Sequence, residues 1–296
     1  MSGSRLLDPA TLAAIGDLAL AARLAVEGML VGAHASRRPG AGLEFTQYRS
    51  YQPGDDLRRV DWKLFGRSDR YFLRESETET SLTVRLVVDA TASMGHAEGT
   101  LTKLDAARLL AAALAWLAAR QGDAVGLWLL RDRALDALPP RRDHAHLHRL
   151  LHALERARPA GRWPAWPALE EIATGAPGRG LTVVISDFHE HAGEIGDALA
   201  RLAALRHDVL ALHVVGRHEL EFPYEGAVAF EDLETGRRVE VAAARAGAAF
   251  RAASAAAREA LRRELEGRGI QYARFAMHEP LDEPLRAALR ARLGRS

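Results

Sequence analysis

Short runs of β-branched residues alternate with longer alanine- and leucine-rich segments from about residue 81 to the end of the chain. The short runs are typical of buried strands, and the longer segments carry apolar stripes at helical spacing. Such alternation indicates a mostly parallel sheet covered by helices on both faces. We therefore predict an α/β fold for this part of the chain.

The pattern places strands and helices along the sequence at definite positions. Strands are predicted at residues 82–88, 124–130, 181–185, 209–215 and 270–275. Helices are predicted at residues 103–120, 144–156, 165–174, 195–205, 243–267 and 284–293. Two hairpins interrupt the alternation, at residues 131–138 and 228–241, and we expect both at sheet edges.

The region before residue 81 has a different character. Residues 8–30 have helical spacing, with Asp8 placed to cap the first turn and Pro9 suited to the first helical position. A Gly/Pro/Arg-rich segment and an aromatic, strongly charged stretch follow. We therefore predict two domains, an N-terminal region over residues 1–80 and the α/β domain over residues 81–296.

Composition narrows the classes of function. The 40 basic and 39 acidic side chains nearly cancel, which disfavours nucleic acid as a partner. Cysteine is absent, so the chain has no disulfide framework and no thiolate ligand. No uninterrupted apolar run reaches the roughly 20 residues that span a bilayer. We expect a cytoplasmic protein without membrane insertion.

Oxygen-bearing side chains cluster where two predicted strands end. Asp89, Thr91 and Ser93 alternate directly after the first strand, and Asp187 follows the third. Ligands of open α/β sheets bind beyond the carboxyl ends of the strands, and hard cations such as Mg²⁺ prefer oxygen ligands. The same residues could instead cap the following helices and satisfy backbone amides, and spacing alone leaves both interpretations open.

The run from Asp89 to Ser93 resembles the Asp-x-Ser-x-Ser motif of von Willebrand factor A domains, with Thr91 in place of the first serine. An upstream set of residues is similar to the signature of the DUF58 family: Gly42-Leu-Glu-Phe45, Arg49-x-Tyr51-x-Pro53-Gly54-Asp55-Asp56, Arg59-x-Asp61-Trp62-Lys63 and Arg74-Glu75. The resemblance implies a Rossmann-like von Willebrand factor A domain preceded by an N-terminal helix and a family-specific segment. It also implies MoxR-type AAA+ ATPases as partners, in chaperone-like or maturation systems.

The resemblance further implies a metal-ion-dependent adhesion site with Asp89, Thr91, Ser93 and Asp187 as ligands of Mg²⁺ or Mn²⁺. One position departs from the family pattern, because Ala160-Gly-Arg-Trp-Pro164 stands where a threonine is expected. Arg162 could place a guanidinium against the carboxylates and replace the metal. His189 is a candidate residue at the rim of the site, where it could tune the charge.

Two functions remain open from the sequence. The leading hypothesis is a non-enzymatic adaptor that binds a MoxR-like ATPase, its client protein, or both, through the strand-end face. The alternative is a metal-dependent hydrolase of phosphoesters that uses Asp89 and Asp187 to hold Mg²⁺. The sequence contains no Gly-x-x-x-x-Gly-Lys-Ser/Thr phosphate loop, so ATP hydrolysis would belong to a partner.

Overall fold

The computed structural model describes residues 7–35, 47–50, 71–75, 82–131, 134–163, 170, 172, 180–189, 194–204, 208–233 and 235–293. Most of the DUF58-like segment from Gly42 to Glu75 lies outside the described residues, as does most of the predicted helix at residues 165–174.

The chain divides into two compact units. One contains Met1–Gly32 and Leu82–Ser296, and the other is Ala33–Ser81. The division into domains over residues 1–80 and 81–296 stays a prediction; residues 1–32 group with the larger unit. In the smaller unit, β1 (Gln47–Ser50) pairs antiparallel with β2 (Phe72–Glu75).

A six-stranded sheet forms the centre of the larger unit. Its strands are β3 (Thr83–Asp89), β6 (Ala124–Arg131), β7 (Ala134–Arg141), β8 (Gly180–Ser186), β9 (Asp208–Val215) and β12 (Gln271–Ala276). Their order is β12-β9-β8-β3-β6-β7, and each neighbouring pair is parallel except β6 and β7. All five predicted strands are present, and each of their ends lies within one residue of the prediction. The predicted α/β class is therefore confirmed.

One of the two predicted hairpins lies at an edge of this sheet. Strands β6 and β7 form the first hairpin, and β7 is the edge strand. The second hairpin, β10 (Ala227–Glu231) with β11 (Arg238–Ala242), is a separate two-stranded sheet, so its predicted place at an edge is wrong. Its Phe230 packs on Phe222 and Tyr224, with ring centroids 5.7 and 5.2 Å apart, and these aromatic contacts position the hairpin. A further short pair joins β4 (Ala97–Glu98) to β5 (Leu101–Thr102).

Helices cover both faces of the main sheet. They are α1 (Pro9–Ala13), α2 (Leu18–Ala35), α3 (Lys103–Arg120), α4 (His144–Arg156), α5 (Glu194–Ala204), α6 (Arg217–Glu221), α7 (Ala243–Gly267) and α8 (Asp282–Leu293). The core on one face includes residues of α1, α2, α3, α4 and α8, and the core on the other includes residues of α5 and α7. On β3, Leu86 faces the first core and Val87 the second, because side chains alternate along a strand.

The N-terminal segment forms two helices rather than the single predicted helix. Asp8 caps α1 as expected, since its Oδ2 accepts a hydrogen bond from Thr11 N at 3.0 Å. The helix then ends at a turn in which Gly16 has a φ of +72°, a conformation that glycine adopts at little cost. Asp17 accepts from Leu20 N at 2.9 Å and starts α2. The prediction of one helix over residues 8–30 is therefore wrong at this turn.

The pairing of β3 with β8 requires glycine at residue 180. A Cβ added there would contact the carbonyl oxygen of Thr83 and the buried guanidinium of Arg85 more closely than real Cβ atoms allow. We expect Gly180→Ala to lower the free energy of unfolding by about 1–3 kcal/mol through overpacking. Urea denaturation measures this change. Gly267→Ala is the matched control, because a Cβ at Gly267 meets nothing within 4 Å, and a loss of similar size there would contradict the explanation.

Candidate functional site

Asp89 lies at the carboxyl end of β3, next to the end of β8. The two strands pair in register up to Val88 and Ile185, which brings Asp89 beside Ser186. The hydroxyl of Ser186 donates to Oδ2 of Asp89 at 2.6 Å, and the backbone N of Thr91 donates to Oδ1 at 2.8 Å. Asp89 is buried, and each of its carboxylate oxygens accepts a hydrogen bond from within the protein, as buried polar groups generally do.

A chain of side-chain oxygens connects this turn to Asp187. A short 3₁₀ helix, Ala92–Gly95, turns the backbone so that Thr91 Oγ1 and Ser93 Oγ lie 3.1 Å apart. The hydroxyl of Ser93 in turn donates to Oδ1 of Asp187 at 3.2 Å. The structure therefore brings together Asp89, Thr91, Ser93 and Asp187, the four residues predicted as metal ligands.

A lysine that the sequence prediction did not include completes this cluster. Lys103 is the first residue of α3, and its side chain is only 3% exposed. Its Nζ lies 3.0 Å from Asp187 Oδ2 and 2.6 Å from Glu219 Oε1. A cation at a helix N-terminus opposes the helix dipole, so the two carboxylates must compensate for both that placement and the burial.

Glu219 reaches the cluster from α6, a short helix after β9. Its Oε2 accepts from Gly216 N at 2.7 Å, which fixes the carboxylate at the start of the helix. Glu98 on β4 accepts from the backbone N of Arg217 and of His218, both at 2.7 Å. These bonds hold the first turn of α6 against the strand-end face.

His189 lies at the rim, as its sequence position predicts. Its Nδ1 is 3.3 Å from Asp187 Oδ2, its Nε2 is 3.5 Å from Glu219 Oε1, and its side chain is 55% exposed. The preceding Phe188 has a φ of +52°, which is uncommon for a residue other than glycine. This backbone conformation follows directly after Asp187 and precedes the imidazole.

The two aspartates of the cluster carry different charges. Burial and the negative charge of Asp187 raise the pKa of Asp89 to about 7, against the opposing effect of its hydrogen bonds. Burial also favours neutral Asp187, but the ammonium of Lys103 outweighs it and holds the pKa of Asp187 well below its usual range. Desolvation opposes a charged His189, yet Asp187 raises its pKa. The cluster therefore contains ionised Asp187 and Glu219 beside Lys103.

The cluster fits a divalent metal by oxygen spacing but does not fit it by charge. Adjacent ligands of octahedral Mg²⁺ lie about 3.0 Å apart, close to the separations along Thr91, Ser93 and Asp187. Lys103, however, already neutralises Asp187 from its other oxygen. Two unit charges about 4 Å apart interact by about 4 kcal/mol at an effective dielectric constant of about 20, and a divalent ion doubles this repulsion. Among the described residues, no group of three or more His, Asp or Glu is arranged to hold a metal.

Arg162 lies in the loop that borders the Asp89 turn. Ala160 N donates to Ala90 O at 2.9 Å, and Ala92 N donates to Gly161 O at 3.0 Å, so this loop runs beside the Asp89 turn. The loop is the segment in which the resemblance predicts a threonine. The Arg162 side chain is exposed. Lys103, on α3, places a cation against Asp187.

A cavity of about 570 Å³ opens next to the cluster. Asp187, His189 and Glu219 form its charged end. Its walls are aromatic and aliphatic side chains from β10, from the residues just before it and from α7. They include Tyr224, Phe230, Phe250, Ala253, Ala257 and Leu261. The sequence prediction missed this cavity because its walls come from segments that lie far apart in the chain. The apolar stripe on α7 is the feature of these walls that the sequence shows.

The parallel sheet with one antiparallel edge strand, the helices on both faces and the oxygen cluster at the strand ends define a von Willebrand factor A-like domain. A family model described as "Protein of unknown function DUF58" matches residues 47–264, which is most of the chain. The chain belongs to the DUF58 family.

One relative and two solved structures that this chain resembles each match more than two thirds of its length. "Uncharacterized protein Rv1480" of Mycobacterium tuberculosis is 34% identical over 233 residues, covering 77% of this chain and 73% of that protein. The conserved hypothetical protein BatB from Bacteroides thetaiotaomicron superposes with a TM-score of 0.49 at 18% identity, over 73% of this chain and 100% of that one. The SpRpn10 VWA domain superposes with a TM-score of 0.40 at 12% identity, over 69% of this chain and 93% of that one.

None of the helices in the described part of this chain is long and apolar enough to cross a membrane.

Proposed function

We propose that this protein is a non-enzymatic adaptor that binds another protein through the strand-end face of its sheet. The observation that carries the proposal is the cavity of about 570 Å³ beside the charged cluster. An apolar recess next to fixed charges is the arrangement in which a few buried side chains of a partner supply most of the binding energy.

The cavity and the cluster would have separate roles in binding. The aromatic wall of Tyr224, Phe230 and Phe250 offers apolar area to an inserted side chain of the partner. At the charged end, His189 is exposed while Asp187 and Lys103 are buried, so His189 is the group of the cluster that a partner meets first. Charged groups at such a rim govern specificity and association rate more than affinity.

The partner that we propose is a MoxR-type AAA+ ATPase or its client protein, in the cytoplasm. The choice rests on the resemblance of the upstream segment to the DUF58 signature, which implies such ATPases as partners. The sequence has no phosphate-binding loop of its own, so nucleotide hydrolysis would be the partner's contribution.

Filling the cavity tests the proposal. We expect Ala257→Trp to weaken binding of the MoxR-type ATPase from the same organism by at least about tenfold, because the indole occupies the recess that receives the partner. Biolayer interferometry with the ATP-bound ATPase measures the change in Kd. Ala256→Trp is the matched control, since Ala256 is exposed on the same helix and does not line the cavity.

Equal affinity of wild type and Ala257→Trp for the ATPase would contradict the cavity as its binding site, and no binding at all would contradict the ATPase as the partner. Phosphoester turnover by the wild type that is lost in Asp89→Ala would favour a metal-dependent hydrolase instead. Both measurements use the full chain. A circular dichroism spectrum of each variant shows whether it is folded, and so separates a lost contact from a lost fold.

A further inference from the structure

We propose that Lys103 is a built-in cation that takes the place of the divalent metal ion of a von Willebrand factor A site, so that the site of this protein is complete without metal. The inference concerns the charge of the cluster and holds whichever partner the face binds. It replaces both alternatives that the sequence suggests, a bound Mg²⁺ or Mn²⁺ and a guanidinium from Arg162.

The position of Lys103 is the first observation for this role. The side chain extends from the start of α3 into the protein and ends between carboxylates from two other elements, Asp187 after β8 and Glu219 on α6. Thr102 and Asp105 form a capping box around it, so the helix start is fixed and the ammonium has little freedom to withdraw. Lysine is almost never buried to this extent unless it is paired, and both partners of Lys103 are carboxylates of the cluster.

The hydrogen bonds of the two aspartates are the second observation. Asp89 accepts from Thr91 N and from the Ser186 hydroxyl, one on each oxygen. Asp187 accepts from the Ser93 hydroxyl on Oδ1 and from Lys103 on Oδ2. Each carboxylate oxygen that would bind a metal or its coordinated water therefore already has a donor within the protein.

The charge sum is the third observation. The carboxylates of Asp187 and Glu219 both lie against the Lys103 ammonium, at 3.0 and 2.6 Å. A divalent cation added to this group would bind the Asp187 carboxylate in a partly buried site. The Lys103 ammonium already pairs with that carboxylate. Removing the ammonium should reverse the situation, because it would leave the Asp187 carboxylate and the Thr91 and Ser93 hydroxyls at octahedral spacing without a cation.

Manganese binding tests the inference without any partner protein. Electron paramagnetic resonance and calorimetric titration with Mn²⁺ alone should detect no site-specific binding to the wild type. Lys103→Ala should bind Mn²⁺ at least about tenfold more tightly than the wild type. The double variant Lys103→Ala/Asp187→Asn should lose that gain, because it lacks the carboxylate that would hold the ion.

Wild-type protein that binds Mn²⁺ as tightly as Lys103→Ala, with binding lost in Asp187→Asn, would overturn the inference. If Lys103→Ala does not fold, the wild-type and Asp187→Asn titrations decide the question alone, since the inference requires both to lack a specific Mn²⁺ site. Loss of ATPase binding in Ala257→Trp has no bearing on these titrations, so failure of the adaptor proposal is distinguishable from failure of this one.

Discussion

Lys103→Met is expected to lower the free energy of unfolding by about 3–5 kcal/mol, the cost typical of removing one partner from a buried ion pair. Methionine retains the length and most of the apolar volume of the lysine stem, so the loss reports on the charge. Without the ammonium, Asp187 and Glu219 lose the buried cation that lies 3.0 and 2.6 Å from their carboxylates. Urea denaturation at neutral pH, followed by circular dichroism, measures the change.

Arg23→Met provides the control for this prediction. Arg23 pairs with Glu27 one turn away on α2, and both side chains are largely exposed, at 57% and 42%. Removing an exposed pair of this kind changes stability by roughly 0.5 kcal/mol or less. Losses of similar size in the two variants would show that the Lys103 cluster is solvated and would contradict its description as a buried cation site.

The sheet could be predicted from the sequence because its strands are buried on both faces. A strand such as Gly180–Ser186 then appears as a short run of mostly apolar residues, and its length and β-branched residues favour a strand over a helix. The hairpin of β10 and β11 could not be positioned in the same way. Its alternation of exposed and partly buried residues is typical of an edge strand and of a separate ribbon alike, and only the packing of Phe230 on Phe222 distinguishes them.

The candidate site could be predicted in part, for a similar physical reason. Asp89 and Asp187 directly follow two apolar runs, so the rule that ligands bind at the carboxyl ends of strands identifies them. Glu219 is 116 residues from Lys103 in the chain, and no local pattern connects them. The one local signal was the lysine at the first position of an alanine-rich helix, where the helix dipole disfavours a cation.

Lys103, Asp187 and Glu219 also connect three elements of the fold at one point. The Lys103 ammonium contacts Asp187 after β8 and Glu219 on α6, and the backbone of Lys103 begins α3, a helix whose residues are mostly buried. The segment after α6 contributes Tyr224 and Phe230 to the cavity wall. The charge cluster therefore helps to position the recess that we propose as the partner site.

Asp89→Asn is expected to gain stability over the wild type as the pH rises. Burial raises the pKa of Asp89 from its ordinary value near 3.8 to about 7 in the folded protein. Between these two values the folded state binds a proton that the unfolded state has lost, so wild-type stability falls as the pH increases through this window. Each pKa unit corresponds to about 1.4 kcal/mol, and the shift therefore amounts to roughly 4 kcal/mol.

Asparagine avoids this loss because it does not ionise. Its amide oxygen can accept from Thr91 N as Asp89 does, and its NH₂ group faces the Ser186 hydroxyl, which can accept a hydrogen bond. At about pH 4 the wild-type carboxyl is protonated in the folded state, and the two proteins should have similar stability. At about pH 8 the wild type carries the full cost of a buried carboxylate beside Asp187, and the variant should be more stable by up to the same roughly 4 kcal/mol.

Urea denaturation of both proteins across this pH range measures the difference in unfolding free energy. All other titrating groups are present in both proteins, so the difference reports on Asp89 together with its interaction with Asp187. Asp136→Asn, which removes an exposed carboxylate on β7, is the control variant. A constant difference between wild type and Asp89→Asn would mean that Asp89 is ionised throughout, and a second cation would then have to lie beside it.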